Sequence, residues 1–280
     1  METIISSATQ TVVIAPDQPT RIIGERINPT GRKKFAAMIL EGNMEIVRDE
    51  AIAQVKAGAA ILDVNMGAAG ADEVALLPEA AKIVMEATDA PLCFDSPNPK
   101  ALEAALKVYP GKALINSVNG EERSRSAILP IVAEHKAAVI GLCMDDNGIP
   151  STPEGRLAVA RKIVDRAGRL GIPPEDILID CLAMAVGADT KAATVTLEAI
   201  RRVRQELGMN MTLGASNISF GLPDRHLINS TFLAMAILMG VNAPIVNPIN
   251  DYGTVVTADL LLGRDDFAMN YITYFRSKQA

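Results

Sequence analysis

The sequence predicts an α/β protein folded as a (β/α)8 TIM barrel in a single domain. Three observations predict it. Eight short, β-rich apolar runs recur along the chain, and each reads as a strand buried on both faces. Amphipathic helical patterns separate them, which is the rhythm of parallel βα units. The 280 residues also suffice for eight such units, which need roughly 250.

In order, the runs are Arg21–Gly24, Ala60–Val64, Leu92–Asp95, Ala113–Asn116, Ala138–Cys143, Ile177–Asp180, Met211–Ala215 and Pro244–Asn247. Their starts lie 39, 32, 21, 25, 39, 34 and 33 residues apart. A helix is expected over Met44–Ala57, with Ile46, Val47, Ile52 and Val55 as its apolar stripe and Gly58 as its stop. Asn98-Pro99 and Thr152-Pro153 each read as an N-cap followed by a first-turn proline. Gly171 and Gly208 should close the helices that begin near Pro153 and Asp189. No GxGxxG follows the first run, which disfavours an open, doubly wound sheet. Residues 1–20 are expected to form a tail or a cover for the barrel bottom, and 21–280 the barrel.

Composition narrows the function. A net charge of −6 with no long Lys/Arg run argues against nucleic acid as a partner. Two histidines, His135 and His226, leave no His-rich metal site, so no metal is expected. The absence of tryptophan and the 4% aromatic content argue against stacking platforms as the carriers of binding. Cys93, Cys143 and Cys181 are odd in number and widely spaced, which fits buried, reduced thiols in a cytoplasm. The N-terminus lacks the basic and apolar regions of a signal peptide. The apolar stretch Phe232–Val241 is too short to cross a bilayer, which takes about 20 residues, and reads as a buried helix.

Active sites of such barrels lie at the C-terminal strand ends. Here those ends carry Glu25, Arg26 and Asn28, then Asp63 and Asn65, Asp95 and Ser96, Asn116 and Ser117, Asp145 to Asn147, Asp180, Ser216 and Asn217, and Asn247 and Asn250. The ring contains no Lys for a Schiff base and no Ser-His pair. Asp and Asn instead suit the edge of a flat heterocycle with adjacent N–H groups, such as a 2-amino-4-oxo-pyrimidine. A single strand-end Asp is often only a helix cap, and Asp95 and Asp180 are each open to that reading. Asp145-Asp146-Asn147-Gly148 reads as a turn in preference to a hard-cation site.

Gly24-Glu25-Arg26-Ile27-Asn28-Pro29-Thr30-Gly31 resembles the first strand and loop of corrinoid-dependent folate methyltransferases. The runs Leu62–Asn65, Asp95-Ser96, Ile115–Ser117, Ile179-Asp180 and Gly214–Pro223 follow in that family's order. The chain is thus similar to the methyltetrahydrofolate:corrinoid/iron–sulfur-protein methyltransferases, members of the dihydropteroate-synthase-like pterin-binding barrels. The resemblance implies methyl transfer between N5 of tetrahydrofolate and the cobalt of a corrinoid (cobalamin) carried by a separate protein. It implies that Asp95, Asn116 and Asp180 hold the pterin's pyrimidine edge and that Asn217 hydrogen-bonds N5. Asp63, Asn65 and Ser216 would line the pocket, and Arg225 would lie near the p-aminobenzoate–glutamate tail. It also implies a homodimer.

Two departures matter. Dihydropteroate synthase carries basic residues on its last strands for pyrophosphate, whereas the last strand here ends Asn247-Pro248-Ile249-Asn250. That lowers the competing expectation of pterin condensation. Asp224-Arg225-His226-Leu227-Ile228-Asn229 resembles a corrinoid-ligand motif, but Asn229 stands where that motif has Gly, so His226 is expected at the surface. The remaining competitor is a non-catalytic folate-binding or corrinoid-docking module. No general acid for N5 stands out in the sequence, and water or an extended Asn217 network is expected to serve.

Overall fold

In the computed structural model, which describes residues 1–279, eight parallel strands close into a barrel. They are β3 (Ile23–Ile27), β4 (Ile61–Val64), β5 (Leu92–Asp95), β6 (Leu114–Asn119), β7 (Ala138–Leu142), β8 (Ile177–Asp180), β9 (Asn210–Gly214) and β10 (Val241–Val246). They pair in chain order, and β10 closes on β3 through Ile245↔Ile23 and Val246↔Gly24. The helices wrap the outside: α1 (Lys33–Leu40), α2 (Glu45–Lys56), α3 (Glu73–Ala87), α4 (Pro99–Val108), α5 (Glu122–His135), α6 (Pro153–Gly168), α7 (Ala192–Leu207), α8 (Arg225–Met239), α9 (Pro248–Leu261) and α10 (Met269–Ser277). No helix is long and apolar enough to cross a membrane among the described residues.

Local chemistry explains several boundaries. The Asn98 side chain accepts from Lys100 N, and Thr152 accepts from Gly155 N, each ahead of a first-turn proline. Gly208 ends α7 in the left-handed region at φ 66°, where a side chain would be strained. In α2 the expected stripe is displaced. The helix buries Val47, Ala51 and Gln54, while Ile52 and Val55 face outward.

Three strands depart most from expectation for one physical reason, polar residues inside a strand: β6, expected to end at Asn116, runs on through Ser117 to Asn119, and β3 and β10 are shifted. β3 starts at Ile23 and runs through Glu25 and Arg26, because Gln54 Oε1 accepts from Arg26 N at 2.9 Å across a register shift. β10 begins three residues before its apolar run. Asn242 is buried there and is satisfied by Asn210 Oδ1 at 2.8 Å and Met211 N at 2.9 Å.

A hairpin, β1 (Thr3–Ser6) with β2 (Thr11–Ile14), precedes the barrel. Its Ile5, Val12 and Ile14 pack with Ile23, Ile61, Cys93, Leu114, Ala138 and Leu178, which line the lower barrel interior. Asn210 Nδ2 ties it down by donating to Thr3 Oγ1 and Ile14 O, both at 2.9 Å. Tyr109 adds a further tie by donating to Ser6 O at 2.9 Å. The larger apolar cluster lies between strands and helices, where Phe94 meets Tyr109 edge-on at 5.5 Å.

Candidate active site

Strand alternation builds the site. Ile23, Ile61, Cys93, Leu114 and Leu178 form the apolar floor of the barrel interior. Two residues further along each strand, on the same face, stand Glu25, Asp63, Asp95, Asn116 and Asp180. The register staggers them around the barrel: Asp95 pairs with Asn116, whereas Asp63 pairs with Cys93, two residues below Asp95 on its strand. The floor excludes water from below, so a polar layer faces the C-terminal mouth.

The layer is internally bonded. Asn116 Nδ2 donates to Asp63 Oδ1 at 3.2 Å, and Asn65 Nδ2 donates to Asp95 Oδ2 at 2.9 Å. Asn65 Oδ1 accepts from Gly67 N at 2.8 Å, which fixes which end of its amide faces Asp95. Asp180 accepts from Leu182 N at 2.6 Å and Gly214 N at 3.3 Å. Asp180 therefore does more than cap a helix; it ties β8 to the end of β9. A cleft of about 440 Å³ opens from Asp95 and Asn116 outward past Ser117 and Arg123, along one side of the layer.

Burial makes these carboxylates reluctant to ionise. It raises Asp180 to about 6, although the Leu182 and Gly214 N–H groups pull the other way. Burial likewise lifts Asp95 to about 6, against the pull of Asn65, with Glu73 adding repulsion. Asp63 is raised as well, through burial first and then the neighbouring Asp95. Such a site favours a ligand that donates hydrogen bonds to its charged oxygens.

The end of β9 turns through a short 3-10 segment, Ala215–Ser219, which exposes Asn217 at the mouth. Ser216 Oγ lies 3.4 Å from Glu25 Oε1. Arg225, expected to be available to a substrate tail, is partly committed to this segment. Its Nε donates to Ser219 Oγ at 2.9 Å and its Nη2 to Ser216 O at 2.8 Å. His226 is exposed at the start of α8. Asp145 and Gly148 exchange backbone hydrogen bonds in a tight turn.

Glu25 is the site residue that sequence reasoning passed over. It stands among the strand-end residues, but the resemblance implied no role for it. The usable signal is its spacing: it follows Ile23 as Asp63 follows Ile61. Burial and then Asp251 push its carboxyl up to about 7.

The sequence signature of the family described as pterin-binding enzyme matches residues 24–247. This chain belongs to that family. It is 33% identical over 265 residues to the methylcorrinoid:tetrahydrofolate methyltransferase of Eubacterium limosum, covering 91% of this chain and 96% of that one. It is 32% identical over 259 residues to methionine synthase of Mycobacterium tuberculosis, covering 88% of this chain but 22% of that enzyme. Among solved structures, dihydropteroate synthase of Yersinia pestis superposes with a TM-score of 0.72 at 13% identity, covering 93% of this chain and 99% of that one. The Xanthomonas albilineans dihydropteroate synthase with 7,8-dihydropteroate gives 0.69 at 18% identity, covering 92% and 98%. At these identities the structural likeness establishes the barrel and its topology.

Proposed function

We propose that this pterin-binding barrel is a corrinoid-dependent tetrahydrofolate methyltransferase. It moves a methyl group between the cobalt of a corrinoid on a separate protein and N5 of tetrahydrofolate. The observation that carries the reading is the near full-length match to the methylcorrinoid:tetrahydrofolate methyltransferase. The direction in that relative's name, methylcorrinoid to tetrahydrofolate, is the forward direction adopted here. Pterin condensation fits less well, because β10 runs into Asn247-Pro248-Ile249-Asn250 with no cation for a pyrophosphate.

The corrinoid supplies the methyl group, and its cobalt keeps the bonding pair as the carbon leaves. The protein's residues supply recognition and charge control. Asp95, Asn116 and Asp180 take the 2-amino-4-oxo edge of the pterin, with carboxylates accepting its ring and amino N–H groups. Asp63 and Asn65 hold Asn116 and Asp95 in orientation. Asn217 faces N5. A neutral amide reorients to donate or accept as N5 changes protonation, and it avoids over-stabilising a charged ground state. Ser216 lines the wall beside it. Arg225 fixes the Asn217 segment and offers its remaining exposed edge to the glutamate tail. Asn217, Phe220 and Arg225 are exposed on one rim, which leaves access for a bulky partner domain.

The family resemblance supports a homodimer and the free cysteines a cytoplasmic setting, and a light-scattering mass near twice 29.7 kDa tests the dimer. The function itself is tested by following the cobalt spectrum in two mixtures. One holds the protein with methylcobalamin and tetrahydrofolate; the other holds cob(I)alamin and methyltetrahydrofolate. Protein-dependent conversion is expected. Tight tetrahydrofolate binding without conversion in either mixture would mark a non-catalytic folate module instead.

A further inference from the structure

Methyl transfer to N5 leaves a surplus proton there, and the reverse transfer requires one. Asn217 is neutral and cannot keep it. Asp95 and Asp180 are committed to a recognition edge at the far side of a pterin from N5. The structure contains one further carboxyl in the same polar layer, and the reading above gives it no task. Glu25 sits on β3, next to β4 and its Asp63, and its Oε1 lies 3.4 Å from the hydroxyl of Ser216, the residue next to Asn217. The hydroxyl therefore stands between this carboxyl and the segment that carries Asn217.

We propose that Glu25 is the proton store for N5, exchanging the proton through the Ser216 hydroxyl. This rests on the methyl-transfer reading. In the forward direction the N5 lone pair forms the N–C bond, and the C–Co bond breaks with its pair left on cobalt. N5 then releases its proton to the Ser216 hydroxyl, which passes its own proton to the Glu25 carboxylate, and water later removes it. In reverse, the Glu25 carboxylic acid returns a proton to N5 as the N–C bond breaks.

The surroundings suit a group that must hold and release a proton. Asp251, 5% exposed at the start of α9, repels the Glu25 charge, and Asp63 on β4 faces it as a further acid. Arg26 on β3 and Arg225 on α8 oppose them and favour the ionised form. His226 on α8 acts on Asp251 in the same sense. Burial outweighs the two arginines, so the group is poised near neutrality, where an acid–base catalyst works best.

The test is the pH profile of Glu25→Gln against wild type, with tetrahydrofolate affinity measured alongside. A proton store predicts a fall in kcat of about 10²–10⁴ with KM for tetrahydrofolate within a few-fold. It also predicts a wild-type inflection near pH 7 that Glu25→Gln lacks. Glu25→Asp should restore part of kcat and an inflection, and Ser216→Ala should lower kcat while keeping the inflection. A Glu25→Gln enzyme with unchanged kcat, or one that keeps the inflection, overturns the proposal. So does a loss confined to KM, which would make Glu25 a binding residue. If Glu25→Gln does not fold, the wild type decides. Carbon-13 carboxyl resonances of glutamate-labelled free protein should include one that titrates near pH 7, and its absence overturns the proposal. Failure here is distinct from failure of the methyl-transfer reading. In the first case wild type transfers methyl groups and Glu25→Gln matches it; in the second, wild type transfers none.

Discussion

Asp95 illustrates at one residue how recognition is held against stability. Its carboxylate is ionised at neutral pH only at a cost, because burial disfavours the charge and Glu73 repels it. One bond from Asn65 is its compensation in the free protein. Replacing Asp95 with Asn removes the charge and preserves the shape. The variant should unfold at a higher temperature than wild type at pH 8, by the equivalent of about 1 kcal/mol or more. It should also bind tetrahydrofolate about 10- to 100-fold more weakly, because a charged acceptor is lost. Calorimetry and fluorescence titration read the two effects, and lower stability at pH 8 would contradict the account. Asp63, Asp95, Asn116 and Asp180 could be singled out only together: each strand-end acid alone reads as a helix cap, but Asp or Asn recurs at nearly every strand end, and the structure bonds Asn116 to Asp63 and Asn65 to Asp95. Arg225 was less so: nothing in its sequence context reveals that Ser216 O and Ser219 Oγ engage its guanidinium.

At the scale of elements, the βα rhythm was plain, and the misplaced boundaries share a cause. Period and apolarity locate a strand only while its inward residues are apolar. β3 carries Glu25 into the mouth, β6 runs on through Ser117 and Asn119, and β10 carries Asn242 into a buried amide pair, so all three looked shorter or shifted. The stripe of α2 failed similarly, since buried Gln54 serves the Arg26 backbone while Ile52 stays outside. Asn210 connects three elements by bonding Thr3, Ile14 and Asn242. Asn210→Leu orphans those buried partners and should cost about 1–3 kcal/mol for each group left unsatisfied. Denaturant unfolding measures the loss. Tetrahydrofolate affinity should hold, because the hairpin lies at the opposite end of the barrel from the polar layer.

For the whole molecule, the polar layer sets the pH dependence. Glu25, Asp63, Asp95, Asp180 and Asp251 all have raised affinities for protons in the folded protein, each chiefly through burial. A raised folded value contributes stability that is complete below the unfolded value and is lost as pH rises through the folded one. Asp95 and Asp180 define that window at about 6, and Glu25 extends it to about 7. The melting temperature of the free protein should therefore fall between pH 5 and pH 8, and a flat or rising profile would contradict this. The central claim is methyl transfer at N5 with Asn217 facing that atom. It is tested most directly by supplying carbon-13-methyl corrinoid and tetrahydrofolate and reading the label by NMR. The account predicts label on N5 with wild type and a rate about 10²–10³ lower with Asn217→Ala. Label that stays on cobalt while tetrahydrofolate is bound, or an Asn217→Ala rate equal to wild type, would contradict it.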